Sequence, residues 1–378
     1  MPKKTPTVDV DLKVLNWLIE SSGWSDEEIA KRIKITTENF EKIKSGDKRP
    51  TFRQLRELSI IFKRPVAAFL LSKPKEEKPK PKDYRMLPEK KDKFDKKTIL
   101  VLRKSRRLQE LAKELSVNIK YDIKTKLEKL RIREDPEEIA EKYREIFGLT
   151  EEKQRKFKTT YELFNYLRDI LEDMNIYVFQ FSMPVEDARG FVFVDETPNV
   201  IVVNKKDSIE ARIFSLMHEF AHILLQESVI DLPDMTLSAK NDIERWCNNF
   251  SASFLLPKSL ANTLFKERKR ELTKKETLNY LSRKYKVSKA MLLVSMKKLN
   301  FITQEDYDNI VNRFKAEAKI IEKGGMPSDK RTISEVGNKF VSLVANNFDK
   351  EFITYTDALD YLSITSKNFD KVLAMAKK

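Results

Sequence analysis

The sequence predicts a mainly α protein with one small β-sheet: a five-helix bundle first, an α+β core next, and a helical region to the end. Three observations predict this. Helical apolar spacing fills residues 9–71 and recurs beyond 258, while β-branched and aromatic runs of strand length cluster between 176 and 203. Charge divides the 378-residue chain as well. The formal net charge is +15, yet residues 136–256 carry −9, against +9 for 73–107 and +10 for 257–378. An acidic block inside a basic chain reads as a separate functional unit.

Composition excludes several classes. One Cys rules out a disulfide framework and any multi-cysteine metal cluster, and fits a reducing cytoplasm. With seven Gly, neither phosphate-cradling glycine motif occurs. Met-Pro-Lys-Lys-Thr opens the chain without an apolar signal region, and no apolar run approaches the ~18 residues of a membrane span, so no membrane partner is expected. No internal repeat is apparent. The basic excess makes nucleic acid a candidate partner.

The first domain spans 1–72. Residues 9–21 present Val10, Leu12, Val14, Leu15, Leu18 and Ile19 on one broad apolar face. Ser25-Asp26-Glu27-Glu28 is a capped, acidic start for a second helix running to about Ile33. A tight turn leads into a third helix at 36–46, closed by Gly46 as a left-handed cap. Pro50 precedes a fourth helix at 51–63, and Pro65 starts a short fifth ending near Leu71. Two short helices joined by a turn of three or four residues form a helix-turn-helix. This run, from Ser25 through Ile29-Ala30 and Ile43-Lys44-Ser45-Gly46 to Pro50-Thr51 and Leu55, resembles the lambda-repressor-like (XRE) family.

That resemblance implies a DNA-binding bundle with 36–44 as recognition helix. Thr36, Thr37, Asn39, Lys42 and Lys44 would face the groove, and Lys48, Arg49 and Arg53 would meet phosphate. Lys34 stands in the turn where the family usually has a small residue, and Glu38 and Glu41 oppose phosphate. The bland use of such a bundle is homodimerisation or docking of a protein partner.

Alternating Lys and Pro from Lys73 to Lys82 cannot bury apolar surface and marks an extended linker, 73–93. A charged helical connector follows at 94–150, helical through 94–135. The α+β core is then placed at 151–265 and the helical C-terminal region at 266–378. Within the core, 161–175 has helical spacing, and 176–181, 190–194 and 200–203 read as strands, the last two joined by a turn at 195–199. By default these runs are sheet core only; either hairpin strand could also serve as an edge for strand addition.

Both His of the chain fall in His218-Glu219-Phe220-Ala221-His222. Asp207-Ser208 can cap a helix that is apolar nearly all round, so the helix should be buried. Positions i and i+4 share a face, which lets both imidazoles meet one Zn²⁺ while Glu219 works as general base on its water. A third ligand must then be a carboxylate, Cys or another oxygen donor. Glu227, Asp231, Asp234, Asp242, Glu244 and Cys247 lie downstream. Glu244 is the best, because 241–252 forms a second buried helix on which Asn248, at i+4, can hydrogen-bond a ligand. Cys247 is the runner-up, although beside Trp246 it also suits a small buried apolar site. The residues themselves point to an α+β zincin-like core and to metal-dependent hydrolysis, with peptides as the natural substrates. The oxyanion-stabilising donor would have to be Tyr, Arg or backbone.

Met217-His218-Glu219-Phe220-Ala221-His222-Ile223-Leu224-Leu225, followed by Glu244, Asn248, Phe250, Ala252 and Leu255-Leu256-Pro257, resembles the ImmA/IrrE metallopeptidases over about residues 155–300. Ser251 departs from the more common Ala. Together with the XRE-like bundle, the resemblance implies a zinc endopeptidase, with Mn²⁺ as the other usable ion. Its implied partners are a transcriptional repressor or antitoxin-like regulator as protein substrate, and DNA. The alternative is a transcription regulator whose metal site senses or stabilises and cuts nothing.

Beyond 258, helices are expected at 275–285, 289–299, 304–319, 333–348 and 355–362. Val287-Ser288-Lys289-Ala290 resembles a second small helix-turn-helix element.

Overall fold

The computed structural model describes residues 6–62, 64–74, 94–125, 127–226, 230–231, 242–317 and 328–376. They divide into two units, one ending at Lys104 and the other beginning at Ser105. Nearly all of the expected linker, from residue 75 to 93, lies outside the described residues.

In the first unit, α1 (Leu12–Ser22) is capped by Asp11, whose carboxylate accepts from the Lys13 and Val14 N–H groups. That cap starts the helix later than residue 9. In α2 (Asp26–Arg32) Ser25 and Glu28 form a reciprocal capping box. The turn after it is a Schellman motif. Ile35 N–H donates to Ala30 O at 3.0 Å and Lys34 N–H to Lys31 O, with Lys34 itself at φ 58°. Thr36 caps α3 (Thr37–Ser45), and Gly46 ends it at φ 93°. After α4 (Phe52–Phe62), the expected fifth helix is a 3-10 turn, Val66–Leu70. Val14, Leu15, Leu18, Ile29, Phe40, Ile43, Leu55, Leu58, Phe62 and Phe69 form the bundle's core.

Helix α5 (Lys96–Asn118) leads into the second unit. Residues 119–125 and 127–135 hold no helix, contrary to the expectation for 94–135. Their charged side chains give no apolar stripe, and Leu130 instead donates its N–H to Leu224 O. Three helices follow: α6 (Pro136–Ile146), α7 (Glu151–Lys156) and α8 (Thr160–Asp173). Strands β1 (Ile176–Phe181), β2 (Gly190–Phe193) and β3 (Asn199–Asn204) then meet α9 (Ile209–Leu225), and the two-residue β4 (Ile230–Asp231) precedes α10 (Asp242–Leu255).

The sheet order is β1-β3-β2-β4, with β1 parallel to β3 and β2 antiparallel to both neighbours. Every residue of β1 and β2 is buried, as is β3 from Val200 onward, which is why these strands read as continuous apolar runs rather than alternating ones. Helix α9 packs on β2 and β3, and α8 lies on β1.

The remainder is helical: α11 (Lys258–Glu267), α12 (Lys275–Tyr285), α13 (Lys289–Lys298), α14 (Gln304–Glu317), α15 (Ser328–Asp349), α16 (Tyr355–Leu362) and α17 (Phe369–Ala376). Both α11 and α17 lay outside the sequence expectations. Gly337, at φ 82° and ψ 163°, breaks α15, whose Phe340 packs edge-on against Tyr177 and Phe179 of β1. No helix among the described residues is long and apolar enough to cross a membrane.

Candidate metal centre

Ser208 accepts a hydrogen bond from Ala211 N–H and starts α9, which is buried along nearly its whole length. Phe220 faces away from the two imidazoles and anchors the helix in an aromatic cluster. Its ring lies 5.3 Å from Tyr143, 5.5 Å from Phe147 and 6.1 Å from Phe250 on α10. Trp246 stacks on Phe250 at 5.7 Å. This cluster clamps α10 against α9 and carries Glu244 to the two His.

His218, Glu219, His222 and Glu244 are each 0% exposed. Nε2 of His218 and Nε2 of His222 stand 3.1 Å apart, and Glu244 reaches them at 3.2 Å and 3.4 Å. Three acceptor atoms that close repel one another unless a proton or a cation sits among them. A tetrahedral ion bound at about 2.0–2.1 Å needs donor separations of roughly 3.3 Å, so the donor set and its spacing both fit. The three residues form a buried group able to hold a metal ion. Burial alone would raise the carboxyl pKa of Glu244. Hydrogen bonds and charge from His218 and His222 outweigh it and hold the group well below the ordinary carboxylate range.

Two contacts that the sequence did not predict complete the surroundings. Cys247 places Sγ 3.6 Å from Nδ1 of His222. With an ion held on Nε2, Nδ1–H would be the donor to that sulfur, a contact that would fix the ring's tautomer. The expected runner-up ligand is therefore a positioning contact on the far side of His222. Asn248, the residue expected to support a ligand, is buried on the same helix, but among the described contacts it is Cys247 that reaches His222. Of the other ligand candidates, Glu227 and Asp234 lie outside the described residues and Asp242 is exposed. The second is made by Gly190, at the start of β2. A Cβ there would stand 3.0 Å from Oε1 of Glu219 and 3.0 Å from Val202 O. A glycine opening a strand in a chain with seven was the available signal.

The two hairpin strands differ in their pairing. β3 is paired along both edges, so it cannot accept another strand. β2 pairs outward with β4 at Gly190 and Phe191, and its Val192 and Phe193, though outside that pairing, are fully buried.

In the first unit, Thr36 Oγ1 accepts from both Asn39 N–H and the Asn39 amide, and Lys48 donates to Asn39 Oδ1 at 3.1 Å. Lys42 pairs with Glu38 at 2.7 Å across an exposed turn. Lys44 pairs with Asp26 at 2.8 Å and ties α3 to α2 rather than standing free for a groove. Arg49 sits 3.6 Å from Asp9, Thr37 is half-buried, and Arg53 is exposed.

A buried His-His-Glu donor set from two clamped helices, beside a small mixed sheet, belongs to the class of metal-dependent hydrolytic centres. Residues 171–297 match the family Peptidase_M78, described as an IrrE N-terminal-like domain, which supports a metallopeptidase-type function for this part of the chain. No curated protein matches the chain.

Proposed function

We propose that this protein is a zinc endopeptidase that cuts a transcriptional repressor or antitoxin-like regulator and is tethered to DNA through its N-terminal helix-turn-helix bundle. The observation that carries the peptidase reading is the 3.1–3.4 Å triangle of His218, His222 and Glu244, with Glu219 on the same helix between the two imidazoles. Zn²⁺, or Mn²⁺ in its place, would be held by those three residues and would supply Lewis acidity. Glu219 takes the proton of the attacking water and hands it to the departing amine. The DNA reading rests on the capped α2–turn–α3 geometry and on exposed Lys42, Lys48 and Arg53.

A second reading is favoured by one observation. Complete burial of all four site residues also suits a regulator whose metal stabilises or senses and cuts nothing. Incubating the metal-loaded protein with the repressor or antitoxin encoded beside its gene separates the two. One discrete cut, lost in Glu219→Gln with metal content unchanged, supports the peptidase. Equal product from both proteins would remove Glu219 from the mechanism, and intact partner in every lane would favour the regulator.

A further inference from the structure

The C-terminal helices repeat the helix-turn-helix of the first unit. Residues 25–43 and 354–372 align without a gap at a constant offset of 329. Ile35, Thr36, Asn39, Phe40 and Lys42 recur unchanged as Ile364, Thr365, Asn368, Phe369 and Lys371. The alignment is hard to see from sequence because the first helices share only character, with Ile29 and Ile33 answered by Ala358 and Leu362.

Local geometry agrees position by position. Ser25 and Glu28 form a capping box, and so do Thr354 and Asp357. Lys34 sits at φ 58° and its counterpart Ser363 at φ 53°. Ile35 donates to Ala30 O at 3.0 Å, and Ile364 to Leu359 O at 3.0 Å. Phe40 and Ile43 are buried, as are Phe369 and Val372. Two differences are that Thr365 makes no side-chain cap where Thr36 does, and that the second helix opens with a 3-10 turn, Ser366–Asn368, before α17.

A duplicated scaffold needs only its core positions and its turn. Here positions outside the core are kept as well: exposed Thr36/Thr365 and Lys42/Lys371, half-buried Asn39/Asn368, and half-buried Thr37 answered by exposed Ser366. These are four of the five groove-facing positions named for the first copy. The fifth, Lys44, is an ion-pair partner of Asp26, and its counterpart Leu373 is buried. One exposed change has a direction. Glu38, which neutralises Lys42, becomes Lys367, so the second copy sets Lys367 and Lys371 one turn apart on an exposed face. Like charges at that spacing destabilise a helix by a few tenths of a kcal/mol, and a phosphate backbone is the partner that repays them.

We propose that residues 354–376 form a second nucleic-acid-binding module, with the helix from Ser366 onward presented to duplex DNA and Lys367 and Lys371 on phosphates. The inference rests on the DNA reading of the first copy, and one experiment separates their failures.

The full chain is titrated against a fluorescent mixed-sequence duplex of about 30 base pairs at several KCl concentrations. Lys367→Ala/Lys371→Ala is expected to weaken binding roughly tenfold near 0.1 M salt and to flatten the log–log salt slope by nearly two. The paired Lys→Arg variant should keep the wild-type slope. Both positions are exposed, so an unchanged melting temperature controls for folding. If the alanine pair binds like wild type while Lys42→Ala/Arg53→Ala weakens, the second module is overturned and the first stands. The reverse pattern upholds the second module alone. Absence of binding by the wild-type chain overturns both, and the shared surface is then a protein-docking face.

Discussion

Gly190 lies against Glu219: a methyl group on the glycine would come within 3.0 Å of the carboxylate oxygen and 3.3 Å of Cγ. The same methyl would press on Val202 O at 3.0 Å, a backbone atom of β3 that has little room to move. Relief must therefore come from the side chain of Glu219. Gly190→Ala is expected to lower stability by about 1–3 kcal/mol, as overpacking does, and to reduce peptide cleavage more than tenfold while metal content stays near that of the wild type. Parallel measurement of bound zinc and cleavage rate checks this. A variant cutting at full rate would show that the contact does not position Glu219.

Cys247 acts through the imidazole it touches. Its sulfur lies 3.6 Å from Nδ1 of His222, placed to accept from it when the other nitrogen, which faces Glu244 at 3.4 Å, holds an ion. Partners of this type typically account for 10–100-fold in metal affinity. Because a thiol is a weak acceptor, Cys247→Ala should lie at the low end, with roughly tenfold weaker zinc binding in a chelator competition. Cys247→Ser, with a stronger acceptor, should recover part of that loss. Were Cys247 a ligand itself, alanine would instead remove stoichiometric zinc.

Glu244 gives the metal-free protein a pH signature. Its carboxyl is held below the ordinary value of 4.5, so its contribution to stability is present above that value and fades as pH falls towards the depressed one. Glu244→Gln removes the titrating group. Melting temperatures of chelator-treated wild type and variant should lie apart where Glu244 is ionised and converge in strong acid, where its carboxyl is protonated in both states. Curves that move further apart in strong acid would reverse the sign of the coupling.

Legibility followed locality. The capped start at Ser25, the left-handed cap at Gly46, the strand at 176–181 and the paired His on one helix all rest on residues within a few positions of each other. Glu244 was also within reach, because burial and helical phase mark a carboxylate even across an intervening segment. Three features were not legible. Gly190 and Glu219 meet only because β2 packs on α9. Cys247 meets His222 by its sulfur rather than through a metal. The 25–43 and 354–372 repeat hides behind exchanged core residues until hydrogen bonds and burial are compared.

Gly337 is the remaining position where geometry leaves one residue type. At φ 82° and ψ 163° it occupies backbone space essentially reserved for glycine, and a Cβ would stand 1.9 Å from Oε1 of Glu172 and 2.8 Å from an Arg168 nitrogen. Arg168 and Glu172 are a buried pair, 2.9 Å apart, that fastens α15 to the sheet. The guanidinium donates to Ile333 O, Ser334 O and Val178 O, while Lys339 N–H donates to Glu172 at 2.9 Å. Burial nonetheless raises the Glu172 pKa despite Arg168, so little stability is in reserve there. Gly337→Ala combines backbone strain with displacement of a buried ion, and a loss of about 3 kcal/mol or more is expected. Because α15 also packs against α16 and α17, amide hydrogen exchange should rise in 328–376 before it rises around His218 and His222. Uniform loss of protection would show instead that α15 and the metal centre unfold as one cooperative unit.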